Sequence, residues 1–139
     1  MPRHIARVDV KTSLSELAHV RTALAKFVAP HHIPSDVLLD VTLAVEEIVT
    51  NVISYGPAGD HNQLIAVRLS FEAGVITVEV EDEGQPFDPL RVAAPDITRP
   101  LDERGAGGLG IHLVRSVMDE VAYARRDGRN VVLMKKAVR

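Results

Sequence analysis

Apolar positions along this chain change their spacing several times, and each change marks a new element. Ala6, Val8 and Val10 alternate with polar residues, the period of a short strand with one buried face. Ser13-Leu14-Ser15-Glu16 then has the form of a capping box and predicts a helix starting at that point. Leu17, Val20, Leu24, Phe27 and Val28 recur at helical spacing as one stripe, which ends at Pro30 and the following His31-His32-Ile33-Pro34. A second, longer helix opens after Ser35: Leu38, Val41, Val45, Ile48, Val49 and Val52 hold the period until Gly56-Pro57 breaks it.

From Leu64 the period becomes two. Ile65, Val67, Leu69 and Phe71 face one way, and beyond Glu72-Ala73-Gly74 the set Ile76, Val78 and Val80 alternates with Thr77, Glu79 and Glu81, predicting a hairpin. The stretch from Glu83 to Gly110 carries Pro86, Pro89, Pro95 and Pro100 among its glycines, so it reads as a long loop of the kind that usually serves function. Ile111, Val114, Val117 and Met118 form a third, short amphipathic helix. Val121 to Ala124, a turn at Asp127-Gly128, and Val131 to Met134 make a closing hairpin. The order is α+β: a two-layer sandwich in which a mixed, mostly antiparallel sheet carries its helices on one face.

Composition narrows the function classes. A length of 139 residues suits one domain spanning 1–139, and 46% hydrophobic with 25% charged residues is the make-up of a folded chain. Lys and Arg total 16 against 19 Asp and Glu, a formal charge of −3, which argues against a nucleic-acid partner. Cysteine is absent, excluding disulfides, thiolate zinc sites and thiol catalysis. No segment approaches the ~20 apolar residues of a membrane span, so a cytoplasmic protein with no membrane partner is expected. His4, His19, His31, His32, His61 and His112 show no pair at metal-ligand spacing and are assigned to surface or loop positions.

Three groups of residues remain. Glu47 and Asn51 project from one face of the second helix, where a carboxylate and a carboxamide suit a base and an oxygen ligand for Mg²⁺, and equally suit a solvated polar face. Glu46, the next residue round the helix, points about 100° away. Asp82 closes a buried-looking strand, where a carboxylate requires a partner or a ligand, and Gly84 lets a flat ligand approach the backbone. Asp-x-Gly is also ordinary turn chemistry. Gly105-Ala106-Gly107-Gly108-Leu109-Gly110 runs into the third helix and offers free N–H groups at its positive end, typically a phosphate site. Its context fits neither a dinucleotide fingerprint, which follows a strand, nor a P-loop, which continues with Gly-Lys-Ser/Thr.

In order and spacing these groups resemble the N box and the two glycine boxes of the GHKL ATPase superfamily, whose domain is the Bergerat or histidine-kinase-like ATPase fold. The resemblance runs from Leu14 to Lys136. Within that superfamily, Ala44-Val45-Glu46-Glu47-Ile48-Val49-Thr50-Asn51, Asp82-Glu83-Gly84-Gln85-Pro86-Phe87-Asp88-Pro89, Gly107-Gly108-Leu109-Gly110-Ile111 and Met118-Asp119-Glu120-Val121 are most similar to bacterial anti-sigma factors that are also serine-protein kinases.

That resemblance implies ATP and Mg²⁺ as cofactors, with Glu47 as general base and Asn51 on the metal. It puts Asp82 on the adenine amino group beside Gly84, and the phosphates on Gly108, Leu109 and Gly110 with Gly105 and Gly107 as helpers. An ATP lid would span residues 85–107, with Arg99 and Arg104 in reach of phosphate charge. The implied partners are a sigma factor, held through a surface including the first helix, and an anti-anti-sigma protein of the STAS type that receives phosphate on Ser or Thr. Apolar surface near the first helix suits a homodimer equally well. Two departures stand out: Pro86 replaces the second glycine of the first glycine box, and Tyr55 stands where the family often has His. Two alternatives stay open, a non-catalytic ATP-binding partner-switch module and a stand-alone histidine-kinase ATP domain. The second lacks a phospho-accepting helical hairpin, as His31-His32 sits in an inter-helix connection.

Overall fold

The computed structural model describes residues 3–55, 63–91 and 108–138. Its elements are β1 (His4–Lys11), α1 (Leu17–Val28), α2 (Ser35–Tyr55), β2 (Leu64–Glu72), β3 (Val75–Asp82), α3 (Gly108–Val117), β4 (Glu120–Arg126) and β5 (Arg129–Ala137). The sheet order is β1-β2-β3-β5-β4. Every ladder is antiparallel, so the parallel component expected of a mixed sheet is absent among the described strands. Two tight turns close the hairpins at Ala73-Gly74 and Asp127-Gly128, where both residues of each pair take positive φ.

Strand alternation places Val10, Ile65, Val67, Leu69, Ile76, Val78, Val80, Val132 and Met134 on one face of the sheet, all buried. They share one aliphatic core with Val20, Leu24 and Phe27 of α1 and Val41, Val45 and Ile48 of α2. Burying these residues supplies most of the driving force for folding, on the order of 1.5–3 kcal/mol for each fully buried large side chain.

The predicted capping box does not form. Ser13 precedes a 3₁₀ turn at Leu14–Glu16, and the α-helix starts only at Leu17, with no side-chain cap. Glu16 accepts instead from the Lys11 amide (3.2 Å), so its carboxylate serves the end of the strand. Conversely α3 opens earlier than its apolar stripe suggests, at Gly108, because glycines of the loop supply its first turn.

Cross-element contacts set the helices in place. Arg21 of α1 grips Glu46 of α2 through both guanidinium and carboxylate, tying the two helices together. Lys136 of β5 donates to the Val117 carbonyl (2.6 Å) at the end of α3 and pairs with Asp40 of α2 (3.3 Å). A cation at a helix C-terminus is favourable in itself, and here it also joins three elements.

The histidines depart from expectation at one point. His4 Nδ1 and His31 Nε2 are hydrogen-bonded at 2.6 Å, although they lie 27 residues apart. Stacking of His4 on Phe27 (centroids 4.4 Å) and of His31 against Phe71 (4.6 Å) makes a half-buried aromatic cluster there.

Candidate functional site

The underside of α2 fixes the direction of its chemistry. Val41, Ala44, Val45, Ile48 and Val49 are fully buried, so the helix cannot rotate without exposing them. Glu47 is therefore held at the edge facing α3, and Asn51 one turn on is completely enclosed, at 0% exposure. Neither amide atom of Asn51, nor Oε1 of Glu47, has a hydrogen-bond partner among the described residues. Three orphaned buried polar atoms on adjacent turns are costly, at roughly 1–3 kcal/mol apiece. Such a cost persists in natural proteins where a ligand supplies the missing partners.

The same burial pushes the Glu47 carboxyl from its ordinary 4.5 up to about 7. Loss of solvation is the cause, since ionisation in a partly closed apolar setting is unfavourable. Across the seam stands Gly110, in the first turns of α3. A Cβ at that position would fall inside the Glu47 carboxyl group itself. The observed position of the Glu47 carboxyl therefore depends on glycine at 110, and the helix N-terminus directs its free N–H groups to the same place.

A second cluster surrounds Asp82. The pleat that buries Ile76, Val78 and Val80 puts Asp82 on the helix-facing side of the sheet, 5% exposed. Its Oδ1 accepts from the Gly84 amide (3.0 Å) and from Asn130 Nδ2 (3.0 Å). Asn130, which stands opposite Asp82 on β5, also donates to the Gln85 carbonyl (2.8 Å). Its Oδ1 accepts from the Phe87 amide (3.0 Å) and the Tyr123 hydroxyl (2.6 Å). Arg125 adds a bond to the Gly84 carbonyl (2.7 Å). Residues 84–87 are thus pinned by side chains of β4 and β5, which compensates for the absence of regular structure in the loop.

Asn130 is the functional residue that sequence reasoning missed. A signal existed: with Val132 and Met134 facing the core, position 130 is the next inward position, and a polar residue there demands a buried partner. The structure brings Glu47, Asn51 and Gly110 into one group and Asp82, Gly84 and Asn130 into another on the same side of the sheet. Gly108 and Leu109 form the start of α3. Arg99, Arg104, Gly105 and Gly107, with lid positions 92–107, lie outside the described residues. Asn51 and Glu47 provide oxygen atoms suited to a hard cation, although no group of three or more His, Asp or Glu side chains at metal spacing occurs among the described residues. A cavity of about 420 Å³ opens mainly on the opposite, solvent face of the sheet, where Arg7, Arg68, Glu81 and Arg129 line it, and it touches Asp82 of the second group. Its arginines are already paired: Arg7 with Asp9 (2.9 Å), Arg68 with Glu81 (3.0 Å) and Arg129 with Glu83 (3.1 Å).

The family model of the histidine kinase-like ATPase domain matches residues 10–136. The chain belongs to the histidine kinase-like ATPase family. ATP is the nucleotide this family membership implies. Among its relatives are the serine/threonine-protein kinase BtrW of Bordetella bronchiseptica, 31% identical over 65% of this chain and 63% of the relative. The anti-sigma F factor of Geobacillus stearothermophilus is 30% identical over 84% of this chain and 81% of its own. The serine-protein kinase RsbW of Bacillus subtilis is 31% identical over 72% and 65% respectively. This ATPase-family chain thus spans less than two thirds of the length of BtrW and of RsbW. A crystal structure of the RsbU and RsbW domains of a Mycobacterium tuberculosis protein shares the fold, with a TM-score of 0.70 at 16% identity, covering 99% of this chain and 33% of that one. No helix among the described residues is long and apolar enough to cross a membrane.

Proposed function

We propose that this chain is an ATP-dependent anti-sigma factor and protein serine/threonine kinase, which binds a sigma factor and phosphorylates an anti-anti-sigma protein of the STAS type in the cytoplasm. The observation that carries the reading is the Glu47–Asn51–Gly110 arrangement: orphaned buried oxygens beside a glycine-opened helix N-terminus. The names of the relatives support the choice of partners.

In this reading Asn51 would hold Mg²⁺ through Oδ1, and the ion would supply charge neutralisation on the phosphates. The start of α3 from Gly108 to Gly110, with Gly105, Gly107 and Arg104, would bind the phosphates, while Asp82 and Gly84 would receive the adenine edge. Glu47 would accept the proton of the acceptor hydroxyl as its oxygen bonds to the γ-phosphorus and the bond to the bridging oxygen of ADP breaks. A carboxyl raised to about 7 suits this role, because a base works best when its pKa lies near the operating pH.

Incubation with Mg²⁺, labelled ATP and purified anti-anti-sigma proteins tests the proposal. Label should appear on a Ser or Thr of the partner with the wild type, and should be lost with Glu47→Ala or excess EDTA. Equal labelling by wild type and Glu47→Ala would remove Glu47 as the base. Nucleotide binding by calorimetry with no transfer to any partner would select the non-catalytic partner-switch reading.

A further inference from the structure

The two helices that carry Glu47 and Gly110 continue past them as an apolar rim. Gly110 meets Glu47 at one end of the seam, and Lys136 joins the Val117 carbonyl to Asp40 at the other, so α3 runs antiparallel to α2. The helices advance in step. Leu43, one turn before Glu47, therefore stands level with Leu113, one turn after Gly110, and Leu39 extends the rim by another turn. Leu39, Leu43 and Leu113 are 57%, 36% and 41% exposed, whereas Val41, Ala44, Val45 and Val114 on the same helices are fully buried.

These leucines do nothing for the core, and large aliphatic side chains gathered in water mark a contact surface. Two cations beside the rim are paired within the chain: Arg21 with Glu46 towards α1, and Lys136 with Asp40 towards the sheet. The partner is therefore recognised by apolar matching at the centre, and a highly charged peptide is a poor fit.

We propose that Leu39, Leu43 and Leu113 form the docking surface for the acceptor protein, a folded partner presenting an apolar patch beside its reactive hydroxyl. The assignment rests on the kinase reading above, since the rim leads to Glu47 and, among the described residues, the core closes the inner side of the seam.

The test measures phosphate transfer from Mg-ATP by the full chain to the purified anti-anti-sigma protein that accepts label from the wild type. Leu43→Glu and Leu113→Glu should each raise the KM for that protein roughly tenfold or more. Affinity for ATP, read by calorimetry, should stay at the wild-type value. Ile5→Glu, at a 61% exposed position on the other face of the sheet, should leave both quantities unchanged. Leu43→Ser and Leu113→Ser keep the test decisive if the glutamates lower the yield of folded protein. An unchanged KM in all the leucine variants overturns the docking surface alone. Absence of transfer by the wild type to any acceptor overturns the kinase reading and the docking surface together. A wild-type dimer that sediments as a monomer after Leu43→Glu, with KM unaltered, gives the rim to a second copy of the chain and also overturns the proposal.

Discussion

Gly110 lies so close to Glu47 that a side chain on one excludes the observed position of the carboxyl group on the other. Glu47 has a flexible stem, and it can swing away at little cost if that space is taken. Gly110→Ala is therefore expected to be as stable as the wild type or slightly more so, since alanine in a helix is favoured over glycine by about 0.5–1 kcal/mol. Phosphate transfer should fall by roughly 10²–10⁴, the usual contribution of a positioned base. Thermal denaturation and initial rates measured on the same preparation check both halves.

The raised Glu47 carboxyl predicts a pH dependence with a definite sign. Between pH 4.5 and about 7 the folded chain holds a proton that the unfolded chain has released, so this group makes stability fall as pH rises through that window. Glu47→Gln removes the buried charge while keeping the shape. Urea midpoints of the variant should lie above those of the wild type at pH 8, and the gap should narrow by pH 5. A wild type that gains stability relative to the variant on going from pH 5 to pH 8 would contradict the burial of this carboxylate.

Catalysis should run the opposite way. With Glu47 as the base, kcat/KM for the acceptor should climb with pH through an apparent pKa near 7 and level off above it. Stopped-time assays across pH 5.5–8.5, in buffers of constant ionic strength, are expected to show this single limb.

Asn130 holds together Asp82, Gln85, Phe87 and Tyr123. Asn130→Ala takes a donor from the buried Asp82 carboxylate, which keeps the Gly84 amide, and removes the bonds to the Gln85 carbonyl, the Phe87 amide and the Tyr123 hydroxyl. The expected loss is about 2–4 kcal/mol. The fall in the urea midpoint measures it. Because residues 84–87 lose their anchor, ATP affinity should weaken in the same variant.

Asp82 separates the nucleotide reading from a purely structural one. ATP at a hundredfold excess over its Kd should stabilise the wild type by about 2.7 kcal/mol, visible as a rise in Tm. Asp82→Asn preserves size and hydrogen-bonding capacity towards Asn130 but removes the charge. It should abolish most of the ATP-dependent rise, and an unchanged rise would exclude Asp82 from nucleotide recognition.

The elements of this protein, and the three groups of residues that suggest its chemistry, were legible in the chain because each depends on local periodicity. Helical spacing set Glu47 and Asn51 on one face, and strand alternation set Asp82 at the end of a buried strand. The onset of α1 was misread because the Glu16 side chain had two competing backbone donors, and the Lys11 amide won. What tertiary structure decided was every relationship across elements. The register between β3 and β5 brought Asn130 to Asp82 across 48 positions, and the packing of α3 on α2 put Gly110 against Glu47. The pairing of His4 with His31 followed from the same kind of closure. Such contacts arise when a shared aliphatic core is buried from both layers, and the hydrophobic drive that closes it carries no record in the chain of which polar groups will meet at its edge.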